Sequence, residues 1–353
     1  MQSSEERAVT EALESPETVL SAQRARLEES LRAVIPEGPL ALLDFPNYGN
    51  VGDSAIWLGE LEMCRRMRRP PPAYQCQRHS FDPDLLGRVV PEGAILLHGG
   101  GNFGDLWPKH QEFRELVLST FPDRVIVQLP QSICFQSATA LDRARRAVGA
   151  HPCFTLLVRD LESLEFARKY FDSPVSLCPD PSVVLRPPDR HIQQRDDLLF
   201  LSRDDHEGYG VATGNMHDRR FPAVDWTRES RGAVEVYNWL LGAARFFQSP
   251  PMAKLLHPIT PVIYLRLAEM RFARGCELLG GSRVVVANRL HAHLMCLILG
   301  IPHFLSDTRY GKLRAYYKTW TSTSDLGVFC DSETDALEKA VTFLGTHRSK
   351  ALP

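Results

Sequence analysis

Short apolar runs that end in a polar, Gly- or Pro-rich loop and then give way to a helical period recur along most of this chain. The first is 39–45 (PLALLDF), followed by PNYGNVGDS and a helix from Ser54 on which Trp57, Leu61, Cys64 and Met67 share a face. The next is 94–98 (AILLH), followed by GGGNFGDLW and a helix that runs to Thr120. Runs at 125–129, 154–158 and 175–177 end in Pro130-Gln131-Ser132, Arg159-Asp160 and Pro179-Asp180-Pro181. Repeated strand, loop and helix units assemble as a parallel sheet with helices on both faces.

The pattern breaks at 186–197 (RPPDRHIQQRDD), which has two adjacent prolines, high charge and no periodicity. It then restarts with a strand at 198–201. A polar, aperiodic stretch at 206–220 reads as a mobile loop, and helices are expected at 232–247 and 261–279. A strand at 284–287, a helix, a short strand at 303–305 and a last helix at 331–344 follow. Residues 5–34 carry only a thin stripe of Leu20, Leu27 and Leu31, as a packing or association element would. The expected division is an N-terminal helical segment (1–35), a Rossmann-like domain (36–185), a linker (186–197) and a second Rossmann-like domain (198–353). Two such doubly wound α/β domains would face their strand-end loops across a cleft.

Composition narrows the classes of function. The formal net charge is −2 over 353 residues, which gives no electrostatic footprint for nucleic acid. Any anionic ligand must therefore be held by a few placed cations. The eight cysteines show no metal-ligand spacing, so neither a metal nor a disulfide framework is expected. The N-terminus is acidic and polar, unlike a secretory segment. The apolar run around 294–299 is far too short to span a bilayer. The expectation is a cytoplasmic protein without a membrane span.

The stretch 284–312 (VVVANRLHAHLMCLILGIPHFLSDTRYGK) carries the clearest chemistry. A buried strand leads to Asn288 as N-cap and a helix whose first three positions are Arg289, Leu290 and His291, closed by Gly300 and Pro302. Backbone N–H groups at a helix start have no intrahelical partner and the dipole there is positive. Cations are mildly unfavourable in that place unless an anion joins them, so the segment reads as an anion site. The loops near Asn50 and Gly100 form the opposite wall. Gly99-x-Gly101-x-x-Gly104 matches the dinucleotide fingerprint in form only, because the nearest acid at the expected spacing, Asp123, precedes a strand rather than ending one.

With these loops placed, FPNYGNVGDSAIWLGE, LLHGGGNFGDLW, LPQSI, VRDLES, PDPSVVL, FLSRDD, NRLHAHLMCLILGIPHF and DTRYGK occur in an order that resembles the polysaccharide pyruvyl transferase family. The resemblance runs from about 40 to 320. It implies a two-domain fold similar to GT-B glycosyltransferases. It also implies transfer of the carboxyethylidene group of phosphoenolpyruvate to two sugar hydroxyls, as a cyclic ketal, with release of phosphate. Arg203 would correspond to the family's phosphoenolpyruvate-binding Arg after the first strand of the second domain. Arg289, Leu290 and His291 would correspond to its Arg-Leu-His helix start. Thr308 and Arg309 depart from the usual pattern, while Tyr310-Gly311-Lys312 keeps it.

On that footing Arg203 and Arg289 clamp the carboxylate and phosphate, the Leu290 N–H adds a donor, and Lys312 is a third cation. His291 supplies the proton to the methylene carbon or bonds the departing phosphate. Acceptor contacts are expected from Asn50, Asp53, Gly100, Gly101, Asn102 and Asp105, with Asp53 or Asp105 as base. His98 is a further candidate for touching the sugar, and His293 and His303 fall to packing or solvent. No cofactor beyond phosphoenolpyruvate as co-substrate is expected. The acceptor is a sugar: a lipid-linked oligosaccharide at the inner face of the membrane, a nucleotide sugar or a simple glycoside. The rival readings are a nucleotide-sugar glycosyltransferase and a non-catalytic sugar-binding subunit of a glycan assembly complex.

Overall fold

The computed structural model describes residues 13–188, 191–202, 223–227, 232, 235–236, 239 and 258–348. Within them lie two sheets in which every strand pairing is parallel. The first holds β1 (Leu40–Leu43), β2 (Tyr74–Cys76), β3 (Ala94–Leu97), β4 (Gly100–Gly104), β5 (Val125–Cys134), β6 (Phe154–Val158) and β7 (Val175–Leu177). Its order is β2-β1-β3-β5-β6-β7, with β4 also pairing β5. The second holds β8 (Asp196–Leu201), β9 (Ala223–Val224), β10 (Ser282–Ala287), β11 (His303–Leu305) and β12 (Gly327–Phe329), in the order β12-β11-β10-β8-β9. This mixed α/β arrangement is consistent with a Rossmann-like fold. Strand order reverses beside β1 in the first sheet and beside β8 in the second. Such reversals leave a crevice outside the carboxyl ends of the strands.

The helices are α1 (Pro16–Val34), α2 (Val51–Arg66), α3 (Pro83–Val89), α4 (Pro108–Thr120), α5 (Ala138–Gly149), α6 (Leu161–Tyr170), α7 (Thr260–Gly280), α8 (Leu290–Leu299), α9 (Lys312–Tyr316) and α10 (Glu333–Arg348). Helix α2 begins at Val51 rather than Ser54, because the Asn50 side chain accepts from the Gly52 N–H at 3.1 Å and caps it there. The glycine stretch after β3 is a strand rather than a loop. At Gly104, φ is +129° and a Cβ would stand 1.8 Å from the Cys134 carbonyl oxygen, so only glycine lets β4 close onto β5. The mobile loop expected at 206–220 lies outside the described residues, as does most of the helix expected at 232–247.

The largest apolar cluster draws on both halves of the chain. It joins Leu27 and Leu31 of α1, Val51 and Trp57 of α2, Leu267 and Cys276 of α7 and Leu294 of α8. Two smaller clusters cover the outer faces, one under the first sheet and one between the second sheet and α10. Helix α2 is where the halves touch most closely. A Cβ at Gly52 would meet the His291 ring and one at Gly275 of α7 would meet Val51, while within the first half one at Gly59 would meet the Pro181 carbonyl. Helix α1 is tied to the same centre. Gln23 Oε1 accepts from the Tyr316 hydroxyl at 2.6 Å, and Arg24 Nε donates to the Val183 carbonyl at 2.8 Å.

Candidate functional site

A cavity of ≈ 700 Å³ opens between the carboxyl ends of the two sheets. Asn50, Asp53, Gly101, Asn102, Arg289, Leu290, His291 and Lys312 line it, together with Tyr48, Arg78, Trp107, Lys109, His110, Arg159, Trp226 and Thr308. Two helix starts, those of α2 and α8, meet at this cavity, because Gly52 in the first turn of α2 carries no side chain and the His291 ring fills the space. Both positive dipole ends and their N–H groups therefore face the same volume.

Arg289 is the N-cap residue of α8, with φ −117° and ψ 129°, and the helix begins at Leu290. Asn288, expected as the cap, instead gives its side-chain amide to Glu333 Oε1 at 2.8 Å. The extended backbone at Arg289 turns its guanidinium away from the helix axis to Asp225, 2.6 Å away, in a pair whose side chains are both nearly buried. The Trp226 ring lies beneath it, 5.9 Å from the guanidinium carbon. A buried Arg–Asp pair satisfies charge locally, and the guanidinium has five donors, more than one carboxylate uses.

A second buried pair stands opposite. Arg159 follows β6 and Asp180 follows β7, and since these strands are neighbours the two side chains meet, Nη1 to Oδ2 at 2.7 Å. Burial pushes the Asp180 carboxyl up, but His291, Arg159 and the Ser182 donors outweigh it and hold it well below the usual carboxylate range. His291 Nε2 is 3.3 Å from Asp180 Oδ2, without the alignment of a hydrogen bond. Lys312 reaches across from the second half and donates to the Gly101 carbonyl at 2.7 Å.

The acceptor candidates divide. Asp53 lines the cavity and accepts from the Asn50 amide at 2.8 Å. Asn102 is held from below, where Oδ1 accepts from Arg114 Nη2 at 3.0 Å and Gln131 Nε2 at 2.9 Å. Burial lowers Arg114 to about 10. Gly100 does not line the cavity but lies beneath it, against Ile56 and Asp53. Asp105 also stays outside. Its two oxygens accept from the Gln136 and Ser137 N–H groups at 2.8 and 2.6 Å, so it fixes the chain ahead of α5 and is not placed as a base.

His98 does not reach the sugar side either. It is buried under the glycine floor, with Nδ1 2.8 Å from Glu60 Oε2, while Glu60 Oε1 accepts from the Gly99 N–H at 2.8 Å. Burial pushes the Glu60 carboxyl up, and although burial alone would lower His98, the Glu60 charge raises it. His293 and His303 are buried and linked, with Nδ1 of His293 2.7 Å from Nε2 of His303. Thr321 lies at one end of the chain and the Ile301 carbonyl at the other. Arg203 lies outside the described residues.

Sequence reasoning passed over Arg159, Asp180, Trp107 and His110. The available signal for the first two was an Arg and an Asp ending consecutive strands. Consecutive strands of a parallel sheet are often neighbours, so their end residues are candidates for contact. His110 sits in the first turn of α4 with Nδ1 2.5 Å from Asp44 Oδ2, and no local pattern joins positions 66 residues apart.

A sequence profile described as Polysaccharide pyruvyl transferase matches residues 50–308. Pyruvyl transferase 1 of Schizosaccharomyces pombe is 31% identical over 326 residues, which cover 86% of this chain and 75% of that protein. General stress protein 30 of Bacillus subtilis is 24% identical over 308 residues, 85% of this chain and 83% of its own length. A functionally uncharacterised protein from Klebsiella pneumoniae has a similar crystal structure, with a TM-score of 0.54 at 13% identity, covering 88% of this chain and 99% of that one. At that identity the likeness concerns the fold alone.

Proposed function

The chain belongs to the polysaccharide pyruvyl transferase family, and from that premise we propose that it moves the carboxyethylidene group of phosphoenolpyruvate onto two hydroxyls of a sugar. Pyruvyl transfer to a polysaccharide is the activity that membership supports; donor, ketal and acceptor positions are our reading of the cavity. The observation that carries it is the convergence of Arg159, Arg289 and Lys312 with His291 at a helix start in one cavity. A small molecule bearing both a carboxylate and a phosphate needs two separated cationic points, and Arg meets either group with paired N–H donors. Arg159 and Arg289 stand on opposite walls and fill that role, with the Leu290 N–H and Lys312 adding donors. Arg203, named from the family resemblance, is kept as a further contact to be tested by substitution.

His291 gives a proton to the methylene carbon, whose new C–H bond takes the π pair and leaves positive charge at C2. A sugar hydroxyl oxygen bonds to C2 and its proton returns to His291. The bond from C2 to the phosphate oxygen then breaks with its electron pair. The second hydroxyl closes the ring, and its proton leaves with the phosphate. The positive helix ends and the cations stabilise the departing dianion. On this reading the two sheets are GT-B-like domains (36–185 and 198–353, with a linker at 186–197), the first facing the acceptor through Asn50, Asp53, Gly101 and Asn102. Phosphoenolpyruvate is the only co-substrate and no cofactor takes part. A lipid-linked oligosaccharide acceptor would place the work at the inner face of the membrane, and among the described residues no helix is long and apolar enough to cross one.

The test is thermal shift with phosphoenolpyruvate and with nucleotide sugars, followed by phosphate release and mass spectrometry on a panel of methyl hexopyranosides. Stabilisation by phosphoenolpyruvate and the mass gain of a ketal are expected. Stabilisation by nucleotide sugars alone would overturn the reading.

A further inference from the structure

The function proposed above needs one nitrogen of His291 to carry protons, and the ring has two. We propose that Asp180 is a positioning residue that holds His291 as the Nε2–H tautomer, leaving Nδ1 as the nitrogen that exchanges protons with the substrate. The tautomer itself follows from the geometry, and only the identity of the substrate rests on the proposed function.

Asp180 is fully buried, and its two oxygens have separate tasks. Oδ1 accepts from the Ser182 N–H at 2.9 Å and the Ser182 hydroxyl at 2.7 Å, which fixes the plane of the carboxylate. Oδ2 is turned to the cavity side, where it accepts from Arg159 Nη1 at 2.7 Å and lies 3.3 Å from His291 Nε2. The backbone beneath is held as well, since the Asp180 N–H donates to the Tyr316 hydroxyl oxygen at 3.2 Å and Tyr316 donates to Gln23 of α1. A carboxylate pinned at this many points is a fixed acceptor rather than an adaptable one.

The His291 ring is asymmetric in the same sense. Nε2 is buried with no aligned hydrogen bond, and the acceptor beside it is an oxygen that is already anionic. A lone pair on Nε2 aimed at that oxygen would be repelled, whereas an N–H is attracted, so the proton belongs on Nε2. Nδ1 has no hydrogen-bond partner among the described residues and lies over Gly52, where an added Cβ would come within 2.4 Å of it. Only glycine at position 52 leaves room for that edge of the ring to lie there. The charged and titratable groups sharing the cavity with His291 are Tyr48, Asp53, Arg78, Lys109, His110 and Arg159 from the first half and Arg289 and Lys312 from the second, with Glu60 behind Asp180.

The decisive measurement is NMR of full-length protein labelled with [15N]histidine, with the His291 ring assigned by comparison with H291Q. The expected pattern in the neutral state is a protonated Nε2 and an unprotonated Nδ1. A protonated Nδ1, or an even mixture of tautomers, overturns the proposal. D180N gives the second arm, with folding checked by circular dichroism. Its tautomer preference should be lost, and kcat should drop by about 10²-fold or more while KM for phosphoenolpyruvate moves far less. An unchanged tautomer and pH profile in folded D180N also overturns it. The spectra need no substrate, so an Nε2–H tautomer found without any ketal formation would sink the reading of the reaction and leave Asp180's role standing.

Discussion

His291 and His293 stand two residues apart on α8, roughly 200° apart around its axis. His291 turns to the cavity, over a glycine and beside a carboxylate that already serves an arginine. His293 turns inward to His303 and Thr321, where every ring nitrogen has a neutral partner. One sequence unit, His-Ala-His, thus delivers one side chain to charged surroundings and one to a closed, uncharged relay. What separates them is which element each faces, α2 and the strand ends for the first and β11 with the turn at 317–321 for the second.

The contrast is sharpest in activity. His291→Ala should reduce ketal formation by about 10²–10⁴-fold, the span of a lost general acid, with phosphoenolpyruvate affinity changing little. Calorimetric binding beside a phosphate-release assay measures both, and full turnover in this variant removes His291 from the chemistry. Next comes Gly52→Ala, whose new methyl group must push the His291 ring aside. A displacement on the order of 1 Å should cost about 10²-fold in kcat, beside about 1–3 kcal/mol of stability from overpacking that contact. Wild-type kcat in that variant would mean that the ring's present position is not the working one.

The inner pair should be visible in stability instead. Burial pushes His303 down to about 4, and burial with the neighbouring His303 holds His293 well below its ordinary value of 6.5. Both rings therefore stay neutral in the folded state at pH values where the unfolded chain takes up protons. The stability they support is complete above pH 6.5 and is lost as pH falls toward 4, by roughly 3 kcal/mol from His303 alone. Asp180, whose carboxyl is also depressed, acts in a separate window that opens only below 3.8. Urea unfolding between pH 7 and pH 5 reads the histidine effect, and a flat free energy there would contradict the neutral relay. His293→Ala strands a partner on His303 and opens space, at roughly 2–3 kcal/mol, without altering turnover per folded molecule. Smallest of all, Asp105→Ala should cost about 1 kcal/mol through the unfilled N–H groups of Gln136 and Ser137 and leave acceptor KM unchanged. A raised acceptor KM would restore Asp105 to the sugar site.

Much of this was legible where the signal is local. The alternation of strand, loop and helix located most strands of both sheets, and Gly300 and Pro302 ended α8 as expected. The start of α8, with Arg289 and His291 lining the cavity, stood out because cations at a helix N-terminus are out of place. The position of the cap was not, since Asn288 has the better capping chemistry and lost it to a contact with Glu333, 45 residues on. Asp105 and Asp53 look alike in sequence, each following Gly in a loop before a helix. Only the tertiary path shows that Asp105 serves the chain ahead of α5. Arg159 and Asp180 became partners through the order of strands in a sheet, which no window of the sequence contains. Gly52 and Gly59 read as turn or helix residues, and their use depends on what packs against them.

Those glycines also bear on how far this protein can be taken apart. With the bare face of α2 at Gly52 filled by the His291 ring, and with α7 closing on Val51 at Gly275, neither half has a finished surface of its own. A chimera that joins this first half to a relative's second half would have to match these two contacts atom for atom before any question of acceptor choice arose. Recombination within the family should therefore succeed at loops along the rim of the cavity and fail at the boundary between the sheets.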